Sequence, residues 1–237
     1  QDWTGNVYAY PIAGDGTIIE PGERYTDGVG GHVNAQDFNT GRNIVTMKSD
    51  GTKIPFRWAS LSGAQQTAVV SANVVDFVRG DRSLETAAGG FRIRASVLGD
   101  IIHANPVYLE NGGTPVLFVG ANDGMLHVFD AHPNTGGKEL WAYVPSMLMS
   151  QLPALKAIPY VHTYFVDGGL NLGNAVISGA AKKILVGGLG GGGKGLFALD
   201  VTDPLAATEI AAATKILWEI SPTTINNVAS GSYANMG

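Results

Sequence analysis

The chain has 237 residues, a formal net charge of −5 and 45% hydrophobic residues, enough for a sizeable core and too apolar for wholesale disorder. Charged residues make up only 15%. The 33 glycines are about twice the roughly 7% of an average chain. The absence of Cys excludes disulfide frameworks, thiolate zinc sites, thiol nucleophiles and covalently attached c-type haem. The acidic balance argues against nucleic acid as a partner, and no apolar run reaches the ~18 residues of a spanning helix. The glycines follow no collagen period, so they serve turns, and many turns with few charges predict short strands.

Gln1-Asp2-Trp3 offers neither a basic start nor an apolar signal core, so the sequence reads as a mature or excised piece. Gly5-Asn6-Val7-Tyr8-Ala9-Tyr10 has the pattern of a third strand in a four-stranded unit. Ile54-Pro55-Phe56-Arg57-Trp58 would be the fourth strand after an insertion, which makes 1–61 a partial unit. Over 62–103 a helix and a connecting segment are expected. Ala64, Ala68, Ala72, Val75 and Val78 form one stripe over 62–79, and Gly80 is the stop. The basic patch Arg79, Arg82, Arg92 and Arg94, interrupted by Asp81 and Glu85, reads as a solvated turn rather than a phosphate site.

Over 104–144 four strands follow one another: Asn105–Leu109, Pro115–Gly120, Met125–Asp130 and Glu139–Tyr143. Asn111-Gly112-Gly113, Asn122-Asp123-Gly124 and His132–Gly137 are the turns between them. Four strands in about 40 residues is the size of one propeller blade. A helical insertion from Ser146 to Leu155 comes next, with Ser146 as N-cap, and the four-strand pattern then returns within 145–220. Its strands are expected at Thr163–Val166 (continued or elaborated through Ala175-Val176-Ile177), Lys183–Gly187, Gly195–Asp200 and Lys215–Ile220. Trp218 takes the place of Trp141. The tail, 221–237, is expected as loop or the start of a next blade. Units of this kind cannot bury their faces alone and must stack on neighbours.

Several phrases occur together: Arg79-Gly80-Asp81-Arg82-Ser83, Arg92–His103, Val119–Ala131, Tyr143-Val144-Pro145-Ser146, Tyr164–Gly168, and Leu185–Gly190 through Ala198–Pro204. In these the chain resembles the C-terminal β-propeller domain of the PilC/PilY-type adhesin and assembly factors of type IV pili, over about 54–220 and more weakly over 3–47. The resemblance implies an all-β fold, a partial β-propeller of four-stranded, quinoprotein-like blades with one or two short helical insertions. About two complete blades fit into this length, roughly half a propeller. It also implies an exported protein of the cell surface or pilus tip that takes part in pilus assembly and extension, adhesion and motility without catalysis. Implied partners are the remainder of the same propeller or another chain, pilin or minor pilins, and a host or surface receptor. Some family members hold calcium in a loop of alternating Asp residues. No Asp-x-Asp-x-Asp run stands here, so calcium is carried to no residue and no cofactor is expected. A quinone-dependent dehydrogenase sharing the blade phrase, and a structural subunit of another surface filament or coat, are the rival readings.

Other motifs carry sharp and plain readings side by side. Gly188–Gly195 nearly spells a phosphate loop, but the closing Ser or Thr is missing and a strand pattern follows, so a flexible hairpin is the plainer reading. Arg79-Gly80-Asp81 is the tripeptide that integrins read and the candidate receptor contact; at a helix end its glycine is equally expected as a stop. His103 and His127 could converge across aligned strands, although no two of the five His have metal-ligand spacing and a buried or turn role is simpler. Trp141 and Trp218 are expected to pack between blades, and Asp130 and Asp200 to bond the turns that follow them.

Overall fold

The computed structural model describes residues 2–222 apart from 21–24, 26, 87, 89 and 111, together with the backbone of 224, 225, 228 and 229. Helix α1 (Gly28–Ala35) precedes a hairpin of β1 (Ile44–Met47) and β2 (Lys53–Pro55). Helices α2 (Gly63–Val69) and α3 (Ala72–Arg79) follow. Then come β3 (Val107–Leu109), β4 (Val116–Gly120), β5 (Leu126–Asp130) and β6 (Glu139–Tyr143), an antiparallel meander. The second meander is β7 (Leu170–Ile177), β8 (Ala180–Gly188), β9 (Leu196–Asp200) and β10 (Ile216–Ile220), with α4 (Glu209–Ala213) between its last two strands. β11 (Thr224–Ile225) and β12 (Val228–Ala229) extend its outer edge. The fold is an all-β partial propeller of two blades, each widened to six strands by an extra hairpin.

The blade strands stand where turn chemistry and apolar runs put them. β4 is almost wholly buried, as a strand covered on both faces must be. The Asn122-Asp123-Gly124 turn works because Gly124 takes φ 97°. In register, Phe118, Val128 and Trp141 form one row across the first blade, and Val186, Ala198 and Trp218 form the equivalent row across the second. The Asp130 carboxylate accepts the His132 N–H and the Asp200 carboxylate accepts the Thr202 N–H, the turn role read for both.

Four expectations are corrected. Residues 5–10 form no strand; next to them is only an isolated bridge, Thr4 to Gly99. Instead of a separate blade, β1 joins β6 in parallel, with the Ala142 N–H on Asn43 O and the Val144 N–H on Val45 O. The single helix over 62–79 is two helices. Val70 sits at φ 76°, and Ser71 behind it offers a fresh N-cap whose hydroxyl accepts the Val74 N–H. The second blade's inner strand is Leu170–Ile177, and 163–166 belong to the connector between blades. The 146–155 insertion consists of two tight 3-10 turns, Ser146–Leu148 and Leu152–Lys156, and Ser146 is not a cap, since its hydroxyl donates to Glu219 instead.

The main core lies between the blades. Phe118, Val128 and Trp141 of the first meet Phe165, Leu185, Phe197 and Leu199, and α3 adds Val74, Val75 and Phe77. A second cluster covers the first blade's other face, where Val119 and Phe129 pack under Val29 and Val33 of α1 and under Val97 and Leu98. Trp141 is buried and donates its indole N–H to Pro204 O across the blade junction at 2.7 Å. Trp218, in the matching position, is partly exposed.

Candidate functional site

A column of buried charge runs through the first blade. Arg42 binds Glu139 through two N–H groups at 2.6 and 2.7 Å and donates a third to Arg79 O. His127 in β5 donates to Glu139 at 2.7 Å and lies 3.1 Å from Asp123, which accepts the Gly99 N–H at 2.9 Å. Burial works against a charged imidazole here, but Asp123 and Glu139 outweigh it and raise His127 to about 9. Burial likewise opposes ionisation of Glu139, and Arg42 and His127 overcome it and hold that carboxyl far below its usual range. Two cations face two anions with every carboxylate engaged, an arrangement that ties β5, β6 and the segment before β1 together.

The face that carries the β4–β5 turn and the blade connector is different. His103 donates Nδ1–H to Asp167 at 2.6 Å, and its backbone N–H bonds the same carboxylate. His162 reaches Asp100 at 2.8 Å. The two imidazoles flank Tyr164, at ring distances of 5.6 and 5.0 Å, and Trp3 stacks on His162 at 3.9 Å. The carboxylates are buried, while the His103 side chain is 65% exposed, so its second nitrogen faces solvent. Such a face can give and take hydrogen bonds and stack flat groups. Its residues are rigid because each imidazole is oriented by a carboxylate. Of these residues the sequence singled out only His103; Asp100, Asp167, His162 and Trp3 share no spacing signal, since the two hydrogen-bonded pairs span 62 and 64 residues. His103 and His127 do not converge; each belongs to its own carboxylates.

Of the four arginines, Arg82 is exposed and Arg92 half-buried, as a solvated turn would have them, but Arg79 and Arg94 are not. Arg79 and Arg94 are 1% and 5% exposed. Arg79 binds Glu209, Phe56 O, Phe38 O and Arg42 O, and Arg94 binds Glu85 and Phe77 O. In Arg79-Gly80-Asp81 the arginine therefore points inward as a structural tie, and Gly80 ends α3 at φ 122°. The glycine-rich turn after β8 is likewise no flexible hairpin. A Cβ on Gly192 would sit 1.7 Å from Phe165 O, and one on Gly190 would lie 2.8 Å from the Gly168 backbone. The glycines allow this turn to press against the connector, and β9 follows rather than a phosphate-binding helix. Among the described residues no group of three or more His, Asp or Glu is placed to hold a metal, and no helix is long and apolar enough to cross a membrane.

The family description "PilY1 beta-propeller domain" matches residues 103–234. Among curated proteins, the type IV pilus biogenesis factor PilY1 of Pseudomonas aeruginosa strain UCBPP-PA14 is 31% identical over 277 residues, across 94% of this chain and 22% of its own length. The strain PAK protein of the same name is 38% identical across 76% of this chain and 18% of its own. A PilY1 homologue of Xylella fastidiosa strain Temecula1 is 42% identical across 59% of this chain and 14% of its own. The chain thus spans a minor part of the relatives it matches. The solved C-terminal domain of Pseudomonas aeruginosa PilY1 is 43% identical over 46% of this chain and 18% of that one, with a TM-score of 0.32.

Proposed function

This chain belongs to the PilY1 β-propeller family, and on that footing we propose that it is a non-catalytic scaffold in a type IV pilus-associated surface protein. Its work is in pilus assembly and extension, and through them in adhesion and motility. The observation that carries this reading is the extent of the likeness: 94% of the chain aligns with a pilus biogenesis factor, including both blades. In this reading the protein is exported and acts at the cell surface or pilus tip. Its partners are other parts of the propeller, pilin or minor pilins, and a surface receptor; it takes no cofactor. Receptor contact through Arg79-Gly80-Asp81 is left out, because the Arg79 guanidinium is bound inward. The face around His103, Tyr164 and His162 is the better contact surface, being polar, aromatic and held rigid.

The test is a chimera. The matching stretch of Pseudomonas aeruginosa PilY1 is replaced by this chain, and surface pili and twitching are measured in a strain lacking its own copy. Restored piliation is the expected result. A chimera that is exported at normal level yet leaves the cells without pili would overturn the assignment.

A further inference from the structure

The first hairpin of the second blade runs past the end of its own blade. In the first blade Leu109 pairs with Val116, and Val116 with Asp130, the last residue of β5. The matching row of the second blade is Gly173, Ile184 and Asp200. β3 stops at Leu109, whereas β7 continues to Ile177 and β8 begins at Ala180. Residues 174–177 and 180–183 thus form a ribbon that projects about 13 Å beyond the blade, at about 3.3 Å per residue.

The ribbon is regular and its edge is unguarded. The register runs without a shift from Leu170 opposite Gly187 to Ile177 opposite Ala180. Ser178 and Gly179 at the tip take φ 50° and 79°, the two positive values of a tight hairpin turn. Native sheets protect an edge with charge, proline or a bulge. β7 has none of these, and no charged residue stands anywhere in 170–181. Among the described residues β7 pairs only with β8, and Val176 and Ile177 are 74% and 40% exposed. β11 and β12 lie at the opposite edge of the same sheet. A bare two-stranded ribbon is marginally stable in water and gains from a third strand.

We propose that this edge is a contact between two copies of the chain, in which β7 pairs antiparallel with β7 of its partner about a two-fold axis at Val176. Under that symmetry each residue faces the one equally far beyond the axis. Val176 then faces Val176, Ala175 faces Ile177 and Asn174 faces Ser178. The row is complementary to itself: β-branched side chains at the axis, small against large on either side, and polar residues closing both ends. Pairing stops at Asn174, one residue beyond the blade row of Gly173, so the two blades stay clear of each other. Each copy carries a net charge of −5, and the uncharged ribbon lets two copies meet without repulsion at the contact. Two ribbons become one four-stranded sheet. The interface is small, so the contact is weak and depends on concentration. The inference rests on the shape of the second blade and not on the pilus role, so the chimera experiment can fail without touching it.

Two measurements test it together. The chain has no Cys, so Val176→Cys introduces a single thiol. Residues directly opposed in an antiparallel pair lie about 4.5–5.5 Å apart at Cα, within the span of a disulfide. Under mild oxidation V176C should link into dimers at least about tenfold faster than Ala181→Cys, which is also exposed but lies on β8. In sedimentation up to about 1 mM, the unmodified chain should dimerise as concentration rises. Val176→Lys and Val176→Glu should each stay monomeric, and an equal mixture of the two should dimerise again. Equal linking rates in the two thiol variants overturn the proposal. So does an unmodified chain that stays monomeric throughout, including one whose β7 amides resist exchange, because another segment then holds the edge.

Discussion

The buried column of the first blade makes stability depend on pH through His127. Its imidazole is enclosed between Asp123 and Glu139, and its pKa rises from an ordinary 6.5 to about 9. A group raised in the folded state contributes stability that is fully present below 6.5 and lost as pH climbs through 9. A rise of that size is worth about 3 kcal/mol. Because His127 is fully buried, solvent does little to screen it. The perturbation is His127→Gln, which keeps one donor and removes the titration. At pH 6 the variant should be about 3–5 kcal/mol less stable, since it strips a cation from two buried carboxylates. At pH 9.5 the wild type has lost its proton, and the gap should narrow by about 3 kcal/mol. Urea unfolding followed by circular dichroism at pH 6, 7.5 and 9.5 measures that gap, and the imidazole proton shift in NMR reads the titration directly. A gap constant across the series, or an imidazole titrating near 6.5, would refute the reasoning.

Glu219 gives the opposite lesson at the blade junction. Burial raises its pKa; bonds from Ser146 and Tyr143 oppose that only partly. An acid raised in this way costs stability as pH climbs from 4.5 through its folded value, so Glu219→Gln should match or exceed the wild type at pH 8 in a thermal melt and lose that advantage below pH 4.5. Trp141→Ala should cost about 3–5 kcal/mol in chemical denaturation, and Trp218→Ala in the same chain clearly less, because only the first is buried and bonded. Gly192→Ala should destabilise by about 1–3 kcal/mol or more, with Phe165 O in the way, while Gly113→Ala, which meets nothing within 4 Å, should be silent in the same assay. Arg79→Ala should unfold the chain more readily, by about 3–5 kcal/mol, through the loss of the buried Glu209 pair and three backbone carbonyl contacts.

What the sequence made legible, and what it hid, follows from the range of the interactions. Seven of the eight blade strands are local products: an apolar run, a turn of Asn, Asp or Gly, and another apolar run, as in Val116–Gly120, Asn122–Gly124 and Leu126–Asp130; the eighth, Leu170–Ile177, is mostly exposed and was expected at 163–166. Their repetition made the propeller readable before any contact was known. β1 escaped because Ile44–Met47 has no alternation and its partner, β6, lies about a hundred residues on. The break at Val70 escaped because the apolar stripe continues across it, and only the Ser71 cap betrays it. The charged side chains were the least legible. Arg42 with Glu139, Arg79 with Glu209 and His162 with Asp100 are separated by 97, 130 and 62 residues, so by spacing each looks like a solitary polar side chain at the surface. Arg79-Gly80-Asp81 shows the consequence. This tripeptide carries its meaning only where both charged side chains are presented, and here the helix end that needs Gly80 also turns Arg79 into the core toward α4 of the second blade. The same helix thus links the two blades through Glu209, which also holds Arg57 next to β2. The added hairpin is accordingly clasped by the blade that follows, and the two blades hold together through the insertions between their strands as well as through the rows of Phe118, Trp141 and Phe197.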